Sequence, residues 1–229
     1  MRIKHVFIGC VAAVLTCIPA FADEDDGGFS GNVTIASDYS FRGVSQTNLL
    51  PAIQGGFDYE LDNGFSFGTW ASNVNYGDGG TSQELDLYVG FTQSLNDTTS
   101  VSFSLVQLEY PGDGENLDYQ EIGASLDMGS ISLGFVYSPS YVGVNDWQFN
   151  YLSIGYGTTL GENVDFSASV GLNSADDIAG EGEDSYIDYS VGVSVPISGI
   201  DLGLSVVGTN IEDNELGEGR LVLSLSKSL

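Results

Sequence analysis

Hydrophobic and polar residues alternate along almost the whole chain after residue 30. In the segment 53–61, apolar residues occupy positions 53, 57, 59 and 61, and polar residues occupy positions 54, 58 and 60. Because successive side chains of a β-strand point to opposite faces, this period of two predicts strands with one apolar and one polar face. Comparable segments lie near 33–42, 53–61, 65–73, 84–92, 99–110, 119–126, 131–138, 147–159, 164–172, 185–196, 200–210 and 220–229. The sequence therefore predicts an all-β chain of about twelve strands.

The connections between these strands alternate in length. The long ones are 43–51, 75–82, 111–118, 139–146, 173–184 and 211–219, and the short ones are 62–64, 95–98, 127–130, 161–163 and 197–199. Short turns at one end and long loops at the other are typical of an outer-membrane barrel. We therefore predict a transmembrane up-and-down antiparallel β-barrel with short periplasmic turns and long, acidic external loops.

A soluble β-sandwich also alternates, with its apolar residues inside, so the alternation leaves both architectures open. Three further features favour the barrel: the apolar phase carries no charge, most strands are ~9–11 residues long, and aromatic residues such as Tyr39 and Phe41 gather near strand ends. Two strands change phase midway, near Leu105-Val106 and near Tyr151-Leu152, and we expect β-bulges at these points.

The first 22 residues have the pattern of a cleaved signal peptide, with Arg2 and Lys4 before an apolar stretch and Ala20-Phe21-Ala22 as the cleavage site. We expect residues 23–30 to form a flexible acidic leader and residues 31–229 to form the barrel. Cleavage would remove both cysteines and the single histidine. Thiol nucleophiles, disulfides, histidine-based zinc sites and Ser-His-Asp triads are then excluded, so we expect neither an enzyme nor a cofactor.

Charge narrows the set of partners. The 229 residues contain 32 Asp and Glu against five Lys and Arg, a formal net charge of −27. Binding to nucleic acid requires clustered Lys and Arg, so we expect no nucleic-acid partner. After cleavage only Arg42, Arg220 and Lys227 would remain as basic residues.

Four segments carry a resemblance to a known family. They read VTIASDYSFRGVSQT at 33–47, PAIQGGFDY at 51–59, GTWASNV at 68–74 and ELDLYVGF at 84–91. The chain resembles the TorF-type porin family of proteobacterial outer-membrane proteins over essentially its whole mature length. The resemblance implies a barrel in the bacterial outer membrane with a porin role, and it implies no catalytic residues.

Six charged residues on the polar faces of the first four strands are our candidates for the functional site. They are Asp38, Arg42, Asp58, Glu60, Glu84 and Asp86. A ring of carboxylates in the lumen favours cations and repels anions. The equal alternative is that these side chains do no more than fill and solvate a narrow barrel, with Arg42 offsetting the repulsion between the carboxylates.

The sequence thus predicts a porin-like channel for passive diffusion of small hydrophilic solutes, cation-favouring, with outer-membrane lipid and lipopolysaccharide as its surroundings. The alternative is a non-conducting outer-membrane surface or anchoring protein whose acidic loops bind divalent cations or a partner. These loops are also consistent with a merely solvated surface, and we expect no specific metal site. A secreted sandwich that binds carbohydrate is the third possibility.

Overall fold

The computed structural model describes residues 28–77, 80–112 and 117–229, so the predicted signal peptide and most of the acidic leader lie outside the described residues. The strands are β1 (Phe29–Ala36), β2 (Ser40–Phe41), β3 (Val44–Ser45), β4 (Ala52–Glu60), β5 (Phe65–Asn73), β6 (Gln83–Asn96), β7 (Thr99–Glu109), β8 (Tyr119–Met128), β9 (Ile131–Ser138), β10 (Phe149–Leu160), β11 (Val164–Ser174), β12 (Ser185–Ile197), β13 (Ile200–Thr209) and β14 (Arg220–Ser228). Two short 3-10 helices, Tyr141–Gly143 and Glu215–Gly217, lie in loops. No helix in this part of the chain is long and apolar enough to cross a membrane.

Twelve of these strands form a closed antiparallel barrel, in which β4 to β14 follow chain order and β1 pairs with both β14 and β4. Closure satisfies the backbone donors and acceptors that an open sheet would leave at its edges. The predicted architecture is confirmed, and a two-sheet sandwich is excluded. Short turns join β4 to β5, β6 to β7, β8 to β9, β10 to β11 and β12 to β13. The loops at the opposite end of the barrel are long, as the sequence predicts.

The two faces of the wall differ as the alternation predicts. Paired residues share a face, so Ile35 and Ile53 both point outward, where Ile53 is 66% exposed. Their neighbours Ala36 and Ala52 point inward, and Ala52 is fully buried. The outer surface is consequently a continuous layer of aliphatic and aromatic side chains.

Aromatic pairs lie on the outer face near the short-turn end. Phe29 stacks on Phe57 with 5.7 Å between ring centroids, and Phe65 contacts Phe91 at 4.9 Å. This placement agrees with the aromatic girdle that a membrane interface favours. Tyr39 and Phe41, which the alternation assigned to the same kind of girdle, are instead buried inside the barrel.

The first predicted strand is wrong in its second half. β1 ends at Ala36, and the chain then turns into the lumen, where β2 and β3 form a two-residue hairpin through Ser40–Ser45 and Phe41–Val44 pairs. The alternation of residues 38–42 belongs to this inserted hairpin and not to the wall. Asp38 and Arg42 are therefore hairpin residues, although they do lie inside the barrel as expected.

The two predicted bulges are also wrong. β7 pairs with β8, and β10 pairs with β9 and β11, in uninterrupted register through the positions where the phase changes. Val106 is 2% exposed and faces inward, while its neighbour Leu105 is 46% exposed and faces outward. The alternation of apolar and polar residues therefore changes phase because apolar residues also face the lumen at these positions, where they pack inside the barrel. The register shift in β6 and β7 lies elsewhere, between Ser94 and Asn96.

Candidate functional site

The inserted hairpin occupies the half of the lumen nearer the long loops, which we call the outer lumen. Its turn is Arg42-Gly43, and both residues have positive φ angles, 48° and 83°. A Cβ at position 43 would lie 2.5 Å from the carbonyl oxygen of Gly208, so only glycine fits this approach to the wall. A non-glycine residue held at positive φ costs about 1–3 kcal/mol, and the contacts of the Arg42 side chain offset that cost.

Arg42 anchors the hairpin tip to the opposite wall. Its Nη1 and Nη2 donate to the two carboxylate oxygens of Glu121 on β8, at 2.9 and 2.8 Å. The guanidinium carbon lies 4.5 Å from the Phe41 and Phe149 ring centroids and 4.8 Å from that of Tyr151. A two-pronged ion pair and three aromatic faces thus surround one buried cation.

The charge state of this anchor follows from its surroundings. Burial is the largest single influence and lowers the pKa of the Arg42 guanidinium, but the attraction and hydrogen bonds of Glu121, together with Tyr141 and Tyr119, raise that pKa above its ordinary value. Arg42 therefore stays protonated.

A second ion pair fixes the base of the hairpin. Nε of Arg220, on β14, donates to Asp38 at 2.6 Å, and Nη1 of Arg220 donates to the Gly43 carbonyl at 2.9 Å. The hydroxyls of Ser45 and Thr47 donate to the same carboxylate, at 2.5 and 2.9 Å. The hairpin is consequently held by β8 at Arg42 and by β14 at Asp38 and Gly43.

Glu84 and Asp86 lie on β6 beside this anchor and are both buried, at 2% and 1% exposure. The Tyr39 hydroxyl donates to Glu84 at 3.2 Å. Neither carboxylate oxygen of Asp86 has a hydrogen-bond partner among the described residues. Arg42 interacts electrostatically with Glu121, Glu84 and Asp188, whereas Asp86 interacts with Glu84 and Glu121.

The half of the lumen nearer the short turns, which we call the vestibule, has a different lining. Its inward positions are mostly small, and many of them carry a hydroxyl. They include Ser102, Ser104, Gly123, Ser125, Ser132, Gly134, Gly155, Ser167, Ser169, Ser190, Gly192, Gly203, Ser205 and Ser224. Side chains of this size leave room inside a barrel of this strand number, and they present hydrogen-bonding groups to water.

Carboxylates surround the short-turn mouth of the vestibule. Glu60, Asp127, Asp165 and Asp201 lie on four strands spread around the barrel, each near its short-turn end and each on the inward phase. We call these four residues the acidic rim. Asp58 is the next inward-facing residue of β4, two positions before Glu60 and further from the short turn. It accepts a hydrogen bond from the Tyr88 hydroxyl.

The structure thus separates the six predicted residues into two groups. Asp38, Arg42, Glu84 and Asp86 meet in the outer lumen, whereas Asp58 and Glu60 lie in the vestibule. Sequence reasoning missed Glu121 and Arg220, which complete the two ion pairs. Of the acidic rim, the prediction included only Glu60 and not Asp127, Asp165 or Asp201. Glu121 lies two residues after the inward-facing Tyr119 on β8. The alternation of that strand therefore places Glu121 in the lumen, and this could have identified it from the sequence.

Among the described residues, no group of three or more His, Cys, Asp or Glu side chains is arranged to hold a metal ion. Asp113 and Glu115, two acidic residues of the predicted long loop 111–118, lie outside the described residues. The site is therefore defined by a cationic anchor, buried carboxylates and a hydroxyl-lined vestibule.

Solved structures with a similar fold include two porins. The NanC porin superposes with a TM-score of 0.58 and 9% sequence identity, covering 86% of this chain and 97% of its own. The KdgM porin superposes with a TM-score of 0.54 and 10% identity, covering 87% of this chain and 99% of its own. At these identities the likeness shows the shared barrel fold. No curated protein matches the chain in sequence.

The family assignment comes from the sequence itself. The profile of a bacterial family described as "Bacterial protein of unknown function (Gcw_chp)" matches residues 23–227, which is almost the whole chain beyond the predicted signal peptide. The chain therefore belongs to the Gcw_chp family.

Proposed function

We propose that this protein is a porin-like channel of the bacterial outer membrane that passes small hydrophilic solutes by diffusion and favours cations. The continuous apolar outer surface supports the membrane location, because it would otherwise contact water. The barrel strands are 8 to 14 residues long, which suits tilted strands that cross a bilayer. The resemblance to TorF-type porins and the fold shared with KdgM and NanC point the same way.

The charge inside the barrel is the observation that carries the cation preference. Among the described residues, ten carboxylates occupy inward positions or the inserted hairpin, against the two guanidinium groups of Arg42 and Arg220. Fixed carboxylates in a low-dielectric passage raise the local concentration of cations and repel anions. The acidic rim places four carboxylic acids around the short-turn mouth of the vestibule, so the preference for cations begins at that mouth.

The same charge argues against an anionic cargo. One of the similar structures is the KdgM porin in complex with disordered oligogalacturonate. A chain of carboxylated sugars would meet the acidic rim of this barrel, and the repulsion would oppose its entry. We therefore propose small neutral and cationic solutes for this protein.

One observation favours the second candidate, a non-conducting surface or anchoring protein. The hairpin fills part of the outer lumen and is fixed there by two ion pairs, so it obstructs a passage at that level. Conductance recording separates the two candidates. Residues 23–229, refolded in detergent and shown to migrate as a heat-modifiable barrel, should produce uniform current steps in a planar bilayer, while the same sample after heat denaturation should not. A folded, inserted barrel that gives no current in KCl would refute the channel and leave the anchoring role.

A further inference from the structure

The surroundings of Arg42 are those of a receptor for an organic cation, and most of that receptor belongs to the wall. Glu121 lies on β8, and Phe149 and Tyr151 lie on β10, so none of the three moves with the hairpin. Only Phe41 is contributed by the hairpin itself. If the hairpin leaves the lumen, the carboxylate and two aromatic faces remain in place.

The site also holds more carboxyl groups than Arg42 pairs with. Glu84 and Asp86 are buried within electrostatic reach of Glu121, and neither oxygen of Asp86 accepts a hydrogen bond from a described residue. Arg42 forms its ion pair with Glu121, so Glu84 and Asp86 remain as oxygen acceptors beside it for an additional or alternative cation.

The lining selects the kind of cation. The described carboxylates are not arranged as a metal site, and a small hydrated ion gains little from aromatic faces. A guanidinium or alkylammonium group gains from those faces, and a guanidinium also matches the two oxygens of one carboxylate, as Arg42 does at 2.9 and 2.8 Å. The chemistry that recognises Arg42 would recognise the same group on a solute.

We propose that Glu121, Phe149 and Tyr151 form a binding site for solutes that carry a guanidinium or alkylammonium group, and that Arg42 occupies this site as a built-in competitor. The inference rests on the proposed channel, since the solute must enter the lumen. A solute that binds here displaces Arg42 and releases the hairpin tip from β8, leaving Arg220 of β14 as its remaining ionic contact with the wall, so the preferred solute promotes its own passage. A solute shifts the equilibrium between the inserted and the displaced hairpin only if it binds the barrel more tightly when the hairpin is displaced than when it is inserted.

Calorimetric titration of folded barrels in detergent tests the site without requiring conduction. Methylguanidinium is the probe, and methylurea, which has nearly the same shape and no charge, is its control. Arg42→Ala should bind methylguanidinium saturably, and wild type should bind it at least tenfold more weakly because Arg42 competes. The double variant Arg42→Ala/Glu121→Gln should lose binding, whereas Arg42→Ala/Glu162→Gln, with the same charge change at an exposed turn, should retain it.

Two outcomes would overturn the binding site: no saturable binding to a folded Arg42→Ala barrel, or equal binding with and without Glu121. Planar-bilayer recording of the same samples separates this inference from the channel itself. Current in KCl without methylguanidinium binding refutes the site and leaves the channel. Binding without current in any variant supports the site and refutes both the channel and the role of the site in solute passage.

Discussion

Replacing Arg42 by alanine removes the contact that holds the hairpin tip against β8. The guanidinium makes two hydrogen bonds to Glu121 and contacts three aromatic rings, all buried. Breaking a buried ion pair by truncating one partner costs about 3–5 kcal/mol, because the remaining charge is left without its counter-ion. Alanine at the same φ of 48° keeps the backbone strain, so nothing in the turn offsets the loss.

That cost falls on the hairpin and not on the barrel, because the twelve wall strands keep their backbone pairing. At 1.4 kcal/mol for each factor of ten, the balance between the inserted and the displaced hairpin shifts by about two to three and a half orders of magnitude. When the hairpin is displaced, water reaches Glu121 and stabilises the open state further. We therefore expect a large rise in open probability in planar bilayers, with heat-modifiable migration unchanged.

The matched control is Lys227→Ala, which also removes one positive charge but lies at the exposed end of β14, with Nζ donating to the Gly199 carbonyl at 3.2 Å. It should conduct like wild type. Glu121→Gln should reproduce the effect of Arg42→Ala from the other side of the ion pair. Equal open probability in wild type, Arg42→Ala and Glu121→Gln would show that the hairpin does not control the passage.

Three further predictions concern the wall. Asp165→Asn should shift the reversal potential in a KCl gradient away from the K⁺ equilibrium value, and Asp165→Glu should not, since the rim acts through its charge; an identical shift in both would contradict this. Leu223→Arg, on the outer face of β14, should impair membrane insertion at a cost of about 2–4 kcal/mol, whereas Ser224→Arg, on the inner face, should still insert. Ser169→Trp should lower conductance by narrowing the vestibule, and the outward Val170→Trp should leave it unchanged.

The barrel could be predicted from the sequence because its signals are local. A period of two, the alternation of long and short connections, and turn residues such as Gly64 at φ 88° each depend on a few neighbouring residues. These features specify which face of each strand is apolar, and the closed architecture follows because each strand must pair on both sides.

The hairpin could not be predicted in this way. Residues 38–42 alternate like a strand, and a short hairpin also alternates, so the pattern does not reveal that β1 ends at Ala36. The partners that hold Arg42 and Asp38 in place are 79 and 182 positions away, and one sequence contains no information on such pairs. The inward aromatic residue Tyr151 did carry a trace of the hairpin, since its ring contacts the guanidinium of Arg42.

The reversal potential of the refolded chain in asymmetric KCl tests the central claim most directly. The excess of lumen carboxylates predicts a value close to the equilibrium potential of K⁺, and that value should move toward zero as salt screens the acidic rim. A reversal potential near the Cl⁻ equilibrium value would contradict the account.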